Sequence, residues 1–257
     1  MLIVISPAKT LDYLTPISCS KVTQPHFLEE AKELNEILRD YSPQQLVKLM
    51  SVSHDLAVLN AQRNQSFTTP TTRQNARQAI FAFKGEVYLG LDSDSLSTAD
   101  LDYAQQHLRI LSGLYGILRP LDLIQAYRLE MGTSLTNAQG RNLYAFWGDK
   151  ITAAINQTIS THKDKLLINL ASAEYFSAVH PRELLAEIIT PVFKDFKNGE
   201  YKVVSFFAKK ARGKFAAWLI RNRIVDKLQL MQFAEDGYHF STQLSTDGTL
   251  VFVRKAE

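Results

Sequence analysis

The chain has 257 residues, of which 46% are apolar and 21% charged, a composition typical of a globular protein with a substantial core. It has too few glycines and prolines for a collagen or a linker, and no apolar stretch approaches the about 20 residues that a membrane span needs. Met1–Ile5 lacks the basic flank of a signal peptide, and the single cysteine, Cys19, cannot form an internal disulfide. We therefore expect a cytoplasmic protein with no membrane partner.

The first half of the chain predicts one short strand followed by helices. Leu2–Ile5 is an apolar run of strand length, and Phe27–Asp40 repeats its apolar residues at helical spacing. Ser42-Pro43-Gln44-Gln45 combines a hydroxyl cap, a proline at the first helical position and a glutamine that completes a capping box. Ser97 and Asp100 predict a similar helix start, with that helix leading to Leu108.

The second half predicts strands. Leu108–Leu111 and Leu166–Leu170 are short apolar runs that each end in a turn or a polar cluster. Asn198-Gly199 lies between Glu187–Phe196 and Tyr201–Phe207, and this dipeptide favours a tight hairpin because both residues tolerate positive φ.

A second, weaker hairpin is predicted around Asp247-Gly248, between Phe240 and Leu250–Val253. No repeat or linker divides the sequence, although a boundary between two domains near His162–Lys165 stays open. We expect a mixed α/β (α+β) fold, with residues 1–257 forming a single compact domain around a mixed sheet.

Positive charge is concentrated in one segment of the chain. Seven of the 29 basic residues lie in Ser205–Lys227, against one of the 26 acidic residues, so the remainder is slightly negative. On a helix, Lys210, Lys214 and Arg221 would share a narrow arc beside Trp218. This pattern predicts a surface for a polyanion; the alternative is a solvated helix face.

Residues 46–57 place a helix, a short hairpin and a second helix in succession, and this stretch resembles a helix-hairpin-helix DNA-binding motif. Leu46 and Leu49 would anchor the first helix, Val52 the hairpin and Ala57 the second helix, with Arg63 near its end. Backbone N–H groups at the start of the second helix would face a phosphate. The sequence departs from the motif at Ser51 and Ser53, where it usually has glycines, and an ordinary helical hairpin remains an alternative.

Metal ligands show no recognisable spacing. The six histidines are widely separated, there is no paired cysteine, and Asp92-Ser93-Asp94 lacks the glycine and closing glutamate of a calcium loop. We predict no metal site and no cofactor.

Several short blocks mix rigid and polar residues in a fixed order along the chain. They are Ser6-Pro7-Ala8-Lys9, Phe83-Lys84-Gly85, Leu111–Gly116, Leu118–Asp122, Tyr127–Gly132, Phe146-Trp147-Gly148, Ile168–Ser172 with Glu174-Tyr175, and Lys209–Gly213. In this order and spacing they resemble the YaaA family of peroxide-stress-resistance proteins. The resemblance implies a cytoplasmic protein that limits oxidative damage by lowering available iron, with a positively charged cleft, a helix-hairpin-helix element and affinity for duplex DNA.

The first functional hypothesis is a stress protein that binds double-stranded DNA through its backbone, without chemistry of its own. The candidate DNA-binding residues are Lys9, Lys48, Ser51, Val52, Ser53, His54, Arg63, Lys84, Lys209, Lys210, Arg212 and Lys214.

The alternative hypothesis is an enzyme for a small phosphorylated or nucleotide-like substrate. The residues of this second candidate site are Lys9, Arg128, Glu130, Asn169, Ser172 and Glu174. Glu130 or Glu174 would serve as general base, and Lys9 or Arg128 would bind the anion. A third possibility, iron sequestration, has no evident ligand set. The sequence leaves the oligomeric state open.

Overall fold

Strands from both ends of the chain meet in one central sheet in the computed structural model, which describes residues 1–255. The strands are β1 (Leu2–Ile5), β2 (Thr10–Leu11), β3 (Arg77–Gln78), β4 (Phe83–Lys84), β5 (Leu108–Ser112), β6 (Gly116–Leu118), β7 (Leu123–Ile124), β8 (Leu166–Asn169), β9 (Glu187–Lys197), β10 (Glu200–Lys202), β11 (His239–Phe240) and β12 (Thr249–Lys255). The helices are α1 (Leu28–Arg39), α2 (Pro43–Met50), α3 (His54–Ser66), α4 (Ala79–Ala82), α5 (Glu86–Leu91), α6 (Thr98–His107), α7 (Leu143–Trp147), α8 (Lys150–Ser160), α9 (Ala173–Phe176), α10 (Ser205–Arg221) and α11 (Lys227–Leu230). The predicted mixed α and β fold is confirmed.

The central sheet has the order β11-β12-β9-β8-β1-β5-β6, with β10 paired to β9. Strand β1 runs parallel to both of its neighbours, so that Ile3 lies beside Leu108 of β5 and Ile168 of β8. All four residues of β1 are buried, as expected for a strand with both faces covered. Because β8 pairs directly with β1 across the boundary considered at residues 162–165, the two halves share one sheet and form one compact domain.

The predicted helix starts are confirmed at atomic detail. Ser42 Oγ accepts a hydrogen bond from Gln45 N at 3.3 Å, and Gln45 Oε1 accepts one from Ser42 N at 2.8 Å. Ser97 and Asp100 form the same reciprocal box at the start of α6. These caps satisfy N–H groups that have no partner within the helix.

The Asn198-Gly199 hairpin is also confirmed, since β9 and β10 pair antiparallel and the two turn residues have φ of 56° and 84°. The predicted second strand, Tyr201–Phe207, is wrong beyond Lys202. Helix α10 begins at Ser205, because Ala208, Ala211 and Phe215 bury a helical face and this packing outweighs the β propensity of the preceding residues.

The second hairpin has a more irregular form than predicted. Strands β11 and β12 pair antiparallel, and Thr246 and Thr249 form a bridge around Asp247-Gly248. A single 3-10 turn at Thr242–Leu244 separates this bridge from β11.

Helix α10 packs between the sheet and α5. Its Phe215 ring lies 5.8 Å from that of Phe193 on β9 and 5.4 Å from that of Phe252 on β12, measured between ring centroids. On another side α5 approaches so closely that a Cβ on Gly213 would lie 1.8 Å from the carbonyl oxygen of Val87. The helix is therefore enclosed over much of its length.

Among residues 1–255, no helix combines the length and the apolar character needed to cross a bilayer.

Candidate functional site

A crevice opens at the carboxyl ends of β1 and β8. The chain leaves β1 toward β5 on one side, whereas it leaves β8 toward β9 on the other. Loops that depart in opposite directions from neighbouring parallel strands leave a gap between them, and ligands of open α/β sheets bind in such gaps. The loops at this switch point are residues 6–9 and 170–172.

Two serines join these loops. Ser6 follows β1 directly, and its Oγ accepts a hydrogen bond from Ser172 N at 2.8 Å and lies 3.3 Å from Ser172 Oγ. Ser112, the last residue of β5, presents a third hydroxyl, which lies 2.6 Å from the Tyr127 hydroxyl. The carboxyl ends of three adjacent parallel strands therefore each present a serine at this edge of the sheet.

Charged side chains from two segments meet beside the serines. Glu130 Oε1 lies 3.0 Å from Arg128 Nη2 and 3.3 Å from Lys9 Nζ. The Arg128 and Glu130 side chains are only 16% and 14% exposed, whereas that of Lys9 is 69% exposed. These residues thus form a partly buried charge cluster with one exposed cation, Lys9, at its mouth.

Arg128 retains an unused donor in this cluster. Its Nε atom is buried and has no hydrogen-bond partner in residues 1–255. Since a buried donor without a partner costs free energy, a ligand oxygen at this position would be stabilised. The small cavity lined by Pro7–Lys9, Tyr127–Glu130 and Tyr175 has a volume of about 20 Å³, roughly enough for one water molecule. A larger ligand would have to displace the exposed Lys9 side chain.

Two of the predicted residues shape the crevice instead of lining it. Asn169 Oδ1 accepts a hydrogen bond from Ala171 N at 3.1 Å and so forms the turn after β8. Glu174 Oε1 accepts one from Gly132 N at 3.0 Å, which ties α9 to the segment that carries Arg128 and Glu130.

Buried tyrosines form the wall behind the charged cluster. Tyr88 donates its hydroxyl to Ser6 O at 3.1 Å, and burial raises the pKa of Tyr88, Tyr127 and Tyr175 well above the usual value. Their hydroxyls therefore stay protonated at neutral pH, and the Tyr88 hydroxyl is a donor next to the crevice.

Three cations predicted for DNA binding lie around this crevice. Lys84 Nζ lies 3.3 Å from Asp12 Oδ2. In the backbone, Lys84 of β4 pairs with Thr10 of β2, the residue that follows Lys9. Arg63 is half-buried, and burial lowers its pKa, with a smaller contribution from the Arg128 charge. Lys48 lines an open groove of about 500 Å³ together with Gly132–Ser134.

A turn of three residues, 51–53, connects α2 and α3. Ser51 takes a left-handed conformation with φ of 51°, and Ser53 Oγ accepts a hydrogen bond from Leu56 N, which caps α3. Val52 is half-buried against the core, whereas Ser51, Ser53 and His54 are exposed. The exposed carboxylate of Asp55 occupies the first turn of α3 and competes with any bound anion. The role of the hairpin as a DNA-binding motif stays a prediction.

Carboxylates neutralise much of the basic segment. Lys214 lies 2.5 Å from Asp236, Lys227 lies 2.5 Å from Glu187, and Arg223 lies 2.8 Å from Asp100. Arg221 donates to Ser95 Oγ at 2.6 Å and lies 3.9 Å from Asp92. These acids come from distant parts of the sequence. The folded segment therefore presents less positive charge at the surface than a count of its own basic and acidic residues indicates.

Three cations of α10 have no carboxylate partner in the described part of the chain, namely Lys209, Lys210 and Arg212. Lys209 and Lys210 are exposed, whereas burial lowers the pKa of Arg212. None of these residues lines a cavity described above. Helix α5 connects α10 to the crevice, because Gly90 of α5 packs on the backbone of Lys210 and Tyr88 of α5 donates to Ser6 O. A single basic cleft that unites them with the α2–α3 hairpin stays a prediction.

Sequence reasoning did not select Ser6, Ser112 or Tyr127 as site residues. A polar residue directly after a buried strand is a signal for Ser6 and Ser112, since such positions lie at the carboxyl edge of a parallel sheet. Tyr127 carries no comparable signal, because its contact with Ser112 depends on the path of the chain after β7.

Comparison with known proteins gives a consistent result. Residues 1–244 match the family model described as peroxide stress protein YaaA. A UPF0246 protein of Teredinibacter turnerae is 54% identical over 99% of this chain and 100% of its own length. UPF0246 proteins of Aliivibrio fischeri strain MJ11 and Alteromonas mediterranea are each 54% identical over 100% of this chain and 99% of their own length.

Proposed function

Because the chain belongs to the family of the peroxide stress protein YaaA, we propose that it acts in the cytoplasm by binding duplex DNA without sequence preference and helping to limit iron-dependent oxidative damage. The observation that supports DNA binding is a set of exposed lysines, Lys48, Lys209 and Lys210, that have no carboxylate partner in residues 1–255. Lysines of this kind neutralise phosphates and release counterions, whatever the base sequence.

The α2–α3 hairpin adds a second contact for a phosphate. Helix α3 is 13 residues long, and its first turn is exposed at His54 and Asp55. N–H groups at the start of a helix of this length attract an anion. The Asp55 carboxylate opposes this attraction, so it sets the strength of the contact.

Fluorescence anisotropy with a short labelled duplex at increasing salt tests this function. We expect the logarithm of affinity to fall linearly with the logarithm of salt concentration, by about 0.9 per phosphate neutralised. The double variant Lys209→Glu/Lys210→Glu should give a shallower slope and weaker binding, whereas Lys163→Glu, an exposed lysine beyond α8, serves as the matched control. Binding that is insensitive to salt, or equal in the double variant and the control, would refute the proposal.

Two further measurements address the hairpin and the oxidative damage. Asp55→Asn removes the carboxylate beside the proposed phosphate contact, so it should tighten DNA binding, with Asp94→Asn as the control.

Plasmid DNA exposed to ferrous iron and peroxide should break less with the wild-type protein than with the Lys209→Glu/Lys210→Glu variant. Equal protection by both proteins would contradict the proposal that DNA binding through these lysines limits the damage.

A second candidate function is favoured by the buried, unpartnered Nε of Arg128 at the switch-point crevice. The chain would then bind, and act on, a small phosphorylated or nucleotide-like substrate. Its anionic group would bind Arg128 and Lys9, and the neighbouring Ser6 and Ser172 would donate hydrogen bonds. Glu130 is the candidate general base, because ligand binding to Arg128 and Lys9 would release it from both cations.

Calorimetric titration with inorganic phosphate and with adenosine monophosphate tests the second candidate. We expect saturable binding that weakens at least about tenfold in Arg128→Gln, since hydrogen bonds to charged groups contribute about 1.5–3 kcal/mol. Arg141→Gln, at an exposed arginine, is the control. If neither ligand binds, or if the Arg128 and Arg141 variants bind equally, this function is excluded.

A further inference from the structure

We propose that Asp149, His180 and Glu183 form a binding site for a divalent first-row transition-metal ion. His180 Nδ1 lies 2.9 Å from Asp149 Oδ1 and 3.6 Å from Glu183 Oε2. The three potential ligand atoms all lie within 4.8 Å of one another. None of the three residues belongs to the switch-point crevice or to the residues proposed to bind DNA.

The spacing fits a single ion. Metal–nitrogen and metal–oxygen bonds of about 2.0–2.2 Å place neighbouring ligand atoms about 3 Å apart and opposite ones a little over 4 Å apart. The two separations from His180 agree with that range, and the separation between the Asp149 and Glu183 oxygens is at most 4.8 Å. Small side-chain adjustments would therefore bring all three atoms to one ion. The remaining coordination positions face solvent, because Asp149 and Glu183 are exposed.

The backbone holds the three ligands in place. Asp149 precedes α8 directly, while His180 precedes and Glu183 ends the single 3-10 turn Pro181–Glu183. His180 N donates to Thr152 Oγ1 at 2.9 Å, and this threonine is buried on the first turn of α8.

A second side chain of α8 fixes the other end of the turn. Asn156 Nδ2 donates to Glu183 O, and Asn156 Oδ1 accepts from Leu185 N, both at 2.8 Å. The ligands therefore come from two segments that are already joined without an ion, and little reorganisation opposes metal binding.

The local charge also favours a dication. With a neutral imidazole, the two carboxylates carry two negative charges, and a bound divalent ion would balance them. The neighbouring Lys150 is engaged elsewhere, since its Nζ lies 3.1 Å from Glu30 Oε1. One imidazole nitrogen with two carboxylate oxygens suits zinc, manganese or ferrous iron, whereas Mg²⁺ and Ca²⁺ prefer sites with oxygen ligands alone.

The wide sequence separation of Asp149 from His180 explains why no ligand spacing is visible in the sequence. The packing of this turn against α8 creates the third ligand position.

Isothermal titration of the full chain with Zn²⁺, in the presence of excess Mg²⁺, tests the site. We expect one Zn²⁺ per chain, and affinity at least about tenfold weaker in each of Asp149→Asn, His180→Asn and Glu183→Gln, since even changes around a ligand cost about 10–100-fold. His239→Asn, at an exposed histidine on β11, is the matched control. Because all three ligands are exposed or half-exposed, circular dichroism and the melting temperature of the metal-free variants should match the wild type.

Three results would overturn the proposal. They are the absence of stoichiometric Zn²⁺ binding, displacement of Zn²⁺ by Mg²⁺, and unchanged Zn²⁺ affinity in His180→Asn. Retained affinity in that variant would mean that the imidazole only pairs with the two carboxylates. Absorption spectra of the Co²⁺-loaded protein give an independent measure, because the visible bands should change in His180→Asn and persist in His239→Asn.

Discussion

His162 lies beside the amino terminus. Its Nδ1 is 3.5 Å from the Met1 nitrogen, and its ring stacks on that of His107. Burial, together with the smaller effect of the charges of the amino terminus and His107, lowers the pKa of His162 to about 4. In the unfolded chain this histidine takes up a proton near its ordinary value of 6.5. The folded state therefore binds fewer protons than the unfolded state between these two values.

The free energy of unfolding should consequently fall as pH decreases from about 6.5 to about 4. His162→Gln removes the titrating group, so its stability should depend less on pH within this window. His239→Gln, which replaces an exposed histidine, should behave like the wild type. Urea unfolding at several pH values measures the effect, and equal pH dependence in the wild type and His162→Gln would contradict this assignment.

Residue patterns predicted local contacts well and distant contacts poorly. The Ser42 and Ser97 caps follow from residues three positions apart, so the sequence alone sufficed for them. The partners of Lys214 and Arg223 are Asp236 and Asp100, which no local pattern connects to them. The candidate crevice is predictable only in part for the same reason. The positions of Lys9 and Ser172 after buried strands follow from the sequence. The contacts of Lys9 with Glu130 and of Ser172 with Ser6 depend on the order of strands in the sheet.

At the scale of elements, α10 shows how packing determines the meaning of a motif. The run Lys209–Gly213 is one of the blocks that carry the family resemblance, and its Gly213 lies in the middle of a 17-residue helix. It is a glycine because α5 crosses there, with Val87 O and Leu91 N in the space that a Cβ would occupy. The same crossing uses Gly90 against the backbone of Lys210.

Gly213→Ala should therefore destabilise the fold by about 1–3 kcal/mol, the usual cost of overpacking a core. Gly248→Ala is the control, since a Cβ there would meet nothing closer than 3.6 Å, and it should change stability by less than about 0.5 kcal/mol. Thermal and urea unfolding measure both variants. Gly213→Ala with wild-type stability would contradict the explanation by helix packing.

At the scale of the whole molecule, the distribution of charge differs from its distribution along the sequence. Toward its carboxyl end the basic segment is paired with carboxylates, whereas Lys209 and Lys210 have no carboxylate partner among residues 1–255. Lys48 and the hairpin before α3 belong to another part of the fold. DNA binding as proposed requires that both regions contact the same duplex. The crevice at β1 and β8 offers a different anion site, centred on Arg128.

Hydrogen exchange of backbone amides with and without a duplex of about 20 base pairs separates these possibilities most directly. DNA should slow exchange at residues 51–55 and in the first turns of α10, with weaker changes at residues 6–9 and 170–172. Protection confined to the crevice loops, or absent from both the hairpin and α10, would contradict DNA binding through these two regions.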